Sequence, residues 1–154
     1  MIDANVKKYM LGNYGEKILS EILRDDGYTV NLSMNPFDNK KDLTVNGSTV
    51  EVKTQVPFYS ERAFSIAQSQ YQKCTKVNYV AFIAVPVPNN SFTSQYDGNI
   101  YVAESKDIIW KQRTTYDGRV MYLAKIHQPA MRLCHTIKDS QILNTLSELT
   151  TSSA

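Results

Sequence analysis

The feature that most constrains this chain is an Asn46-Gly47 dipeptide with an alternating apolar and polar run on each side. Asn-Gly suits a two-residue β-hairpin turn, because both central positions of a type I′ turn require positive φ angles. The dipeptide therefore predicts an antiparallel hairpin with a defined register. In that register the opposed pairs are Val45 with Ser48, Thr44 with Thr49, Leu43 with Val50, and Asp42 with Glu51.

The predicted register brings two acidic side chains, Asp42 and Glu51, to one face of the hairpin. Opposed residues in an antiparallel pair have Cβ atoms ~5 Å apart, and Lys53, two residues beyond Glu51, shares their face. Two carboxylates this close repel each other, and a cation between them would offset the repulsion. Mg²⁺ is a candidate, because it is commonly held by one or two carboxylates and several waters. A lysine on the same face could stabilise transition-state charge or activate a water. The alternative is a solvated face on which Lys53 makes a surface ion pair.

A third acidic residue, Glu16, lies on an amphipathic helix that the apolar spacing predicts over residues 10–26, with Gly27 as its stop signal. Glu16 falls at the edge of the apolar stripe, so it could reach the sheet while the helix packs normally. The alternative is an ordinary exposed helix glutamate.

The remaining patterns predict an α/β fold in which a mixed β-sheet is flanked by helices, in the order helix, strand, hairpin, helix, strand. Residues 28–32 predict the first strand, and the apolar residues 78–85 are typical of a central strand covered on both faces. The second helix is marked by Ala63, Phe64, Ala67, Tyr71 and Cys74. Later predicted elements are strands over residues 100–103 and 120–126, a short helix over 106–110 and a last helix over 139–149.

A length of 154 residues indicates one domain, expected at residues 1–149, with a flexible polar tail at residues 150–154. No run of about 18 apolar residues occurs, and the first residues lack the apolar stretch of a secretion signal. The two cysteines, Cys74 and Cys134, form neither a metal-ligand pair nor a disulfide framework. A reducing cytoplasm is the expected location.

Charge is distributed unevenly along the chain. Residues 1–53 hold seven basic and eight acidic side chains, whereas residues 106–138 hold seven basic and two acidic ones. A basic second half beside an acidic site favours a polyanionic ligand, and a solvated surface is the alternative. The candidate nucleic-acid contacts in this half are Lys111, Arg113, Arg119, Lys125 and Arg132.

Several of these pieces, read together between Gly15 and Pro86, resemble the PD-(D/E)XK nuclease superfamily. Within it, the chain is most similar to the homing endonucleases of restriction-enzyme fold, in which a Pro-Phe loop precedes the Asp-Leu strand. One departure is Lys41, which stands where the superfamily has a proline, and Asp38 after Pro36-Phe37 is a rival to Asp42. The matching pieces are Gly15-Glu16, Gly27-Tyr28-Thr29-Val30, Asn35-Pro36-Phe37-Asp38, Lys41-Asp42-Leu43, Glu51-Val52-Lys53-Thr54 and Val77-Asn78-Tyr79-Val80-Ala81-Phe82.

The resemblance implies a role for each matching residue. Asp42 and Glu51 would bind Mg²⁺ with the backbone carbonyl of Val52, and Mn²⁺ could substitute. Lys53 would orient or activate the attacking water, and Glu16 would hold a metal through water. Members often add a glutamine on the helix after the lysine strand, for which Gln68 and Gln70 are both candidates, with a solvent-side position as the alternative for each.

The implied function is a magnesium-dependent endonuclease that hydrolyses DNA. It would be a site-specific enzyme of the homing or restriction type, and the alternative is a structure-specific resolvase or repair enzyme. Cutting both strands of a duplex usually needs two active sites, so a homodimer or higher homo-oligomer is expected if the target is duplex DNA. A non-catalytic nucleic-acid-binding module of the same fold and a protein-interaction domain are the alternatives.

Overall fold

The computed structural model describes residues 4–32, 43–58, 60–88 and 94–150. Within these residues the chain forms three α-helices, which are α1 (Ala4–Asp25), α2 (Gln68–Thr75) and α3 (Ser140–Glu148). The strands in the same residues are β1 (Val30–Leu32), β2 (Leu43–Val45), β3 (Ser48–Gln55), β4 (Ala63–Ala67), β5 (Tyr79–Ala84), β6 (Asn99–Glu104), β7 (Trp110–Thr114), β8 (Val120–Lys125) and β9 (Arg132–Thr136).

Six of the strands form a mixed sheet in the order β1-β2-β3-β5-β6-β9. Its central pair, β3 and β5, is parallel, and the other neighbours are antiparallel. Parallel strands need a crossover connection, and β4 and α2 make this crossover on one face of the sheet. The predicted mixed α/β architecture is confirmed, with β4 as an additional strand between the hairpin and the second helix.

One face of the six-stranded sheet is covered by α1 and α3. Leu19 of α1, Val52 of β3 and Leu146 of α3 belong to the same buried cluster. The predicted stop of α1 is confirmed, because Gly27 adopts a φ of 96° and the Tyr28 N–H reaches back to the Leu23 carbonyl at 3.0 Å. The helix begins at Ala4, earlier than predicted. The apolar residues of this first stretch, such as Val6 and Tyr9, are exposed, so no core-facing stripe marks it in the sequence.

The opposite face carries α2 and a second sheet of three strands in the order β4-β8-β7. Phe64 of β4 stacks on Phe82 of β5 with ring centroids 4.7 Å apart, and both rings are fully buried. Cys74 of α2 belongs to the same cluster. The six-stranded sheet therefore lies between two cores, and each core is sealed by a different set of elements.

The prediction that residues 63–67 open the second helix is wrong. They form β4, whose residues pair in register with β8 from Ala63 opposite Lys125 to Ala67 opposite Met121, and α2 begins only at Gln68. A short apolar run does not distinguish a helix from a strand, and the partner strand decided the outcome.

The predicted helix over residues 106–110 is also wrong in extent, because the 3-10 turn Ser105–Asp107 is followed by β7, which starts at Trp110.

The last helix is confirmed, and the Asp139 side chain caps it by accepting from the backbone N–H of Gln141 at 2.9 Å.

In the described part of the chain, no helix has both the length and the apolar character needed to cross a membrane. Residues 33–42, which include Asp38 and Asp42, and residues 151–154 of the predicted tail lie outside the described residues.

Candidate active site

The predicted hairpin register is confirmed. Leu43 lies opposite Val50, and Asn46 and Gly47 form the turn with φ angles of 47° and 86°, as a type I′ turn requires. The described ladder ends at this Leu43–Val50 pair. Asp42, the predicted metal ligand, lies outside the described residues, so its position opposite Glu51 stays a prediction.

The alternation of β3 sends its acidic and basic residues to one face of the sheet. In the parallel ladder, Glu51 pairs with Val80 and Lys53 pairs with Phe82, and both β5 partners belong to the core beneath α2 and the second sheet. Val52, between them, packs into the core beneath α1. Glu51 and Lys53 therefore project together toward α2, as the spacing predicts.

Glu51 is the central charge of this site. Only 1% of its side chain is exposed, and its Oε1 atom lies 3.5 Å from the Lys53 Nζ atom and 3.3 Å from the Lys73 Nζ atom. A charge removed from water is costly unless it is paired. The two ammonium groups supply this pairing, so the surface ion pair considered from the sequence is replaced by a buried cluster.

The helix α2 supplies the remaining polar groups of the site. The Lys53 ammonium donates to the Oε1 atom of Gln70. Lys73 follows Gln70 by three residues, so both side chains lie on the same face of the helix, whereas Gln68 is exposed. Of the two glutamines that the sequence left open, the structure places Gln70 at the site.

Lys73 was missed by the sequence analysis. Its signal is the three-residue spacing from Gln70, which puts both side chains on one face of the predicted helix. The tertiary packing of α2 on β3 was still needed to show that Lys73 meets Glu51.

Glu16 lies on α1, the helix that covers the other side of the sheet. Its neighbour Gly15 is buried against the side chain of Thr54, which alternates to the face opposite Glu51 and Lys53. Glu16 itself is half-buried on α1, and its backbone carbonyl accepts from the Ser20 hydroxyl at 2.7 Å. Its predicted contact with a metal stays a prediction.

Two of the predicted nucleic-acid contacts lie on β7 and share one acidic partner. The Arg113 Nη1 atom lies 2.9 Å from Glu61 Oε2, and the Lys111 Nζ atom lies 3.7 Å from Glu61 Oε1. The Arg113 guanidinium also lies 5.6 Å from the centre of the Phe58 ring. Both basic side chains are about half exposed, so a phosphate could reach them in exchange for the carboxylate.

The other basic candidates are spread over two surfaces. Arg119 pairs with Asp117 in the turn between β7 and β8, with 2.9 Å between Nε and Oδ2, and Lys125 is exposed on β8. Arg132 lies on β9, the edge of the six-stranded sheet. The basic second half of the sequence is thus divided between the two sheets.

The side chains around Glu51 fit an Mg²⁺ ion that takes Glu51 as one of its protein ligands. In the described residues no group of three or more His, Cys, Asp and Glu side chains lies close enough to hold a metal ion. Mg²⁺ nevertheless often takes only one or two protein carboxylates and completes its shell with water and substrate oxygens. Glu51 fits the first of these carboxylates, and Asp42 is the predicted second one.

No protein family model matches this chain, and no curated protein matches it either. The functional argument therefore rests on the residues of the site and their geometry. The central observation is a buried carboxylate that shares one face of a central strand with a lysine, and that lysine is held by a glutamine from the following helix.

Proposed function

We propose that this protein is a magnesium-dependent endonuclease of the PD-(D/E)XK superfamily that hydrolyses phosphodiester bonds of DNA, with Mn²⁺ able to replace Mg²⁺. The observation that carries the proposal is the Glu51-x-Lys53 pair on β3, buried beneath α2 and joined to Gln70. The element order from α1 to β5, with a parallel β3–β5 pair, also supports a restriction-endonuclease-like core.

Each polar group has a separate task in this reaction. Glu51, with Asp42 as predicted partner, would hold the Mg²⁺ ion, which supplies Lewis-acid polarisation of the scissile phosphate. Lys53 would orient the attacking water, because its ammonium is fixed between Glu51 Oε1 and Gln70 Oε1. Gln70 would act by positioning Lys53. A positioned ammonium stabilises developing negative charge better than a mobile one, since its orientation needs no change during the reaction.

The substrate would be held by basic side chains outside this cluster. Lys111 and Arg113 share one face of β7, and Lys125 shares the face of Leu123, which pairs with Lys111. These side chains, with Arg119 in the adjoining turn, would bind phosphates. Phosphate contacts of this kind set the register of the nucleic acid without reading bases. For cleavage of both strands of a duplex we propose a homodimer or higher homo-oligomer. The homing and restriction types fit this arrangement, and a junction resolvase or repair nuclease is the alternative.

The direct test is cleavage of supercoiled plasmid with Mg²⁺ and with EDTA. We expect nicked or linear product only with the metal, and no product from the Lys53→Ala and Asp42→Ala variants. The matched control is Lys76→Ala, which removes an exposed lysine just after α2. A wild-type protein that retards DNA but cuts no duplex, branched or single-stranded substrate with Mg²⁺ or Mn²⁺ would identify a non-catalytic binding module instead.

A further inference from the structure

Lys73 and Lys53 contact the same oxygen of the buried carboxylate. The Lys73 Nζ atom lies 3.3 Å from Glu51 Oε1, and the Lys53 Nζ atom lies 3.5 Å from it. The two lysines come from different elements, α2 and β3, so the arrangement depends on the packing of the helix on the strand. Among the described side chains, two ammonium groups thus flank this carboxylate oxygen.

The two lysines are more exposed than this carboxylate. The Lys73 side chain keeps 22% of its surface exposed and the Lys53 side chain 12%, whereas Glu51 keeps 1%. Of the two, Lys53 is additionally anchored on Gln70, and Lys73 is the more exposed.

Charge repulsion makes the two kinds of cation competitors. An ammonium and a divalent metal ion favour the same carboxylate, and like charges a few ångströms apart repel strongly where water is largely excluded. We propose that Lys73 is a built-in counterion of Glu51 that opposes the binding of a divalent cation, so that Lys73 sets the metal affinity of the DNA-free protein. The proposal rests on the proposed function, because it takes Glu51 as a metal ligand.

The experiment is a calorimetric titration of the DNA-free protein with Mn²⁺. We expect the affinity of Lys73→Gln for Mn²⁺ to exceed that of the wild type by about tenfold, because one competing positive charge is gone. Lys73→Arg, which keeps the charge, is expected within about twofold of the wild type on the same argument. Lys76→Gln makes the same change of net charge on an exposed lysine just after α2 and is expected to leave the affinity unchanged.

Thermal unfolding provides a second readout that does not depend on activity. Without metal, Lys73→Gln is expected to melt at a lower temperature than the wild type, because Glu51 loses one of its counterions. With Mn²⁺ the variant is expected to gain more in melting temperature than the wild type, since a tighter ligand stabilises the folded state more. Lys73→Met retains the aliphatic stem and replaces Lys73→Gln if that variant fails to fold.

The outcomes separate the two proposals. If the wild type binds Mn²⁺ and cuts DNA while Lys73→Gln and Lys73→Met bind the ion equally well or more weakly, the counterion role is overturned and the nuclease proposal stands. If neither the wild type nor the Lys73 variants bind Mn²⁺, the counterion role is overturned, and the plasmid assay decides the nuclease proposal. Binding by the Lys73→Gln variant alone supports the counterion role, and the plasmid assay then decides the nuclease proposal.

Discussion

Gly15 of α1 lies so close to Thr54 of β3 that a Cβ atom on the glycine would lie 2.9 Å from the Thr54 Cβ atom and would overlap its hydroxyl group. Thr54 directly follows Lys53, the proposed catalytic lysine. The absent side chain of Gly15 thus lets the helix approach the strand that carries the site.

The first prediction concerns two glycines of the same helix. Gly15→Ala is expected to lower the free energy of unfolding by about 1–3 kcal/mol, because the added methyl forces α1 away from β3. Gly12 has no atom within 4 Å of a built Cβ, so Gly12→Ala is expected to raise it by about 0.5–1 kcal/mol through the better helix propensity of alanine. Urea unfolding followed by circular dichroism measures both. Equal effects of the two substitutions would contradict the close packing.

The second prediction separates the two glutamines at the start of α2. Gln70→Ala is expected to reduce plasmid cleavage about tenfold or more, because a group that orients a catalytic side chain commonly contributes a factor of this size. Gln68→Ala is the matched control, since Gln68 is exposed, and it should cleave at the wild-type rate. The measurement is the initial rate of supercoiled DNA loss, with circular dichroism to show that both variants fold. Equal rates for the two variants would remove Gln70 from the site.

The third prediction concerns Glu61, which lies between Lys111 and Arg113. If these basic groups hold phosphates, Glu61→Gln should strengthen DNA binding about two- to fivefold. In the wild type a phosphate has to replace the Glu61 carboxylate in a half-exposed ion pair, and in the variant it does not. Fluorescence anisotropy with a labelled duplex measures the affinity. The control Glu21→Gln makes the same charge change on the exposed side of α1 and should have no effect. An unchanged affinity in Glu61→Gln would place the nucleic acid elsewhere.

The fourth prediction tests the same surface by salt dependence. Arg113→Gln is expected to weaken binding and to lower the slope of log K against log salt by about 1, as the loss of one phosphate contact requires. Lys17→Gln, on the exposed side of α1, serves as the control and should leave the slope unchanged. A weaker affinity with an unchanged slope would indicate that Arg113 acts through Glu61 or Phe58 and not on a phosphate.

The fifth prediction follows from the thiol of Cys134, which lies on β9 and lines a cavity of about 820 Å³. Cys134 is exposed as a residue, but partial burial of its thiol raises the pKa of Cys134, and the negative charge of Asp26 raises it further. Because the thiolate is the reactive form, alkylation should rise at higher pH in the folded protein than in urea. The folded state favours the neutral thiol of Cys134, so the raised pKa contributes to the free energy of unfolding. This contribution is complete at pH values below the pKa of Cys134 in the unfolded chain and is lost as the pH rises through its pKa in the folded protein.

Alkylation at each cysteine can be followed by peptide mass spectrometry across pH. Asp26→Asn should move the Cys134 profile part of the way toward that of the unfolded chain. Cys74 is buried and should react only on unfolding, which provides an internal check that the protein stays folded. A Cys134 profile that is the same in folded and unfolded protein would contradict the raised pKa.

The local sequence was sufficient for the features that depend on neighbouring residues. The Asn46-Gly47 turn has a backbone requirement that few residues meet, so it determines the register of β2 and β3. Once the register is known, strand alternation places Glu51 and Lys53 on one face without further information. The end of α1 just before Gly27 is local in the same sense, because a positive φ angle suffices to stop the helix.

The features that the sequence did not predict depend on distant partners. Residues 63–67 are a strand because β8 pairs with them, and β7 and β9 are polar edge strands whose side chains carry little apolar alternation. Lys73 reaches Glu51 only because α2 packs across β3. Burial and counterions arise from contacts between segments far apart in the chain. The sequence by itself therefore determined that Glu51 and Lys53 share one face, and the tertiary structure decided which side chains of α2 meet them.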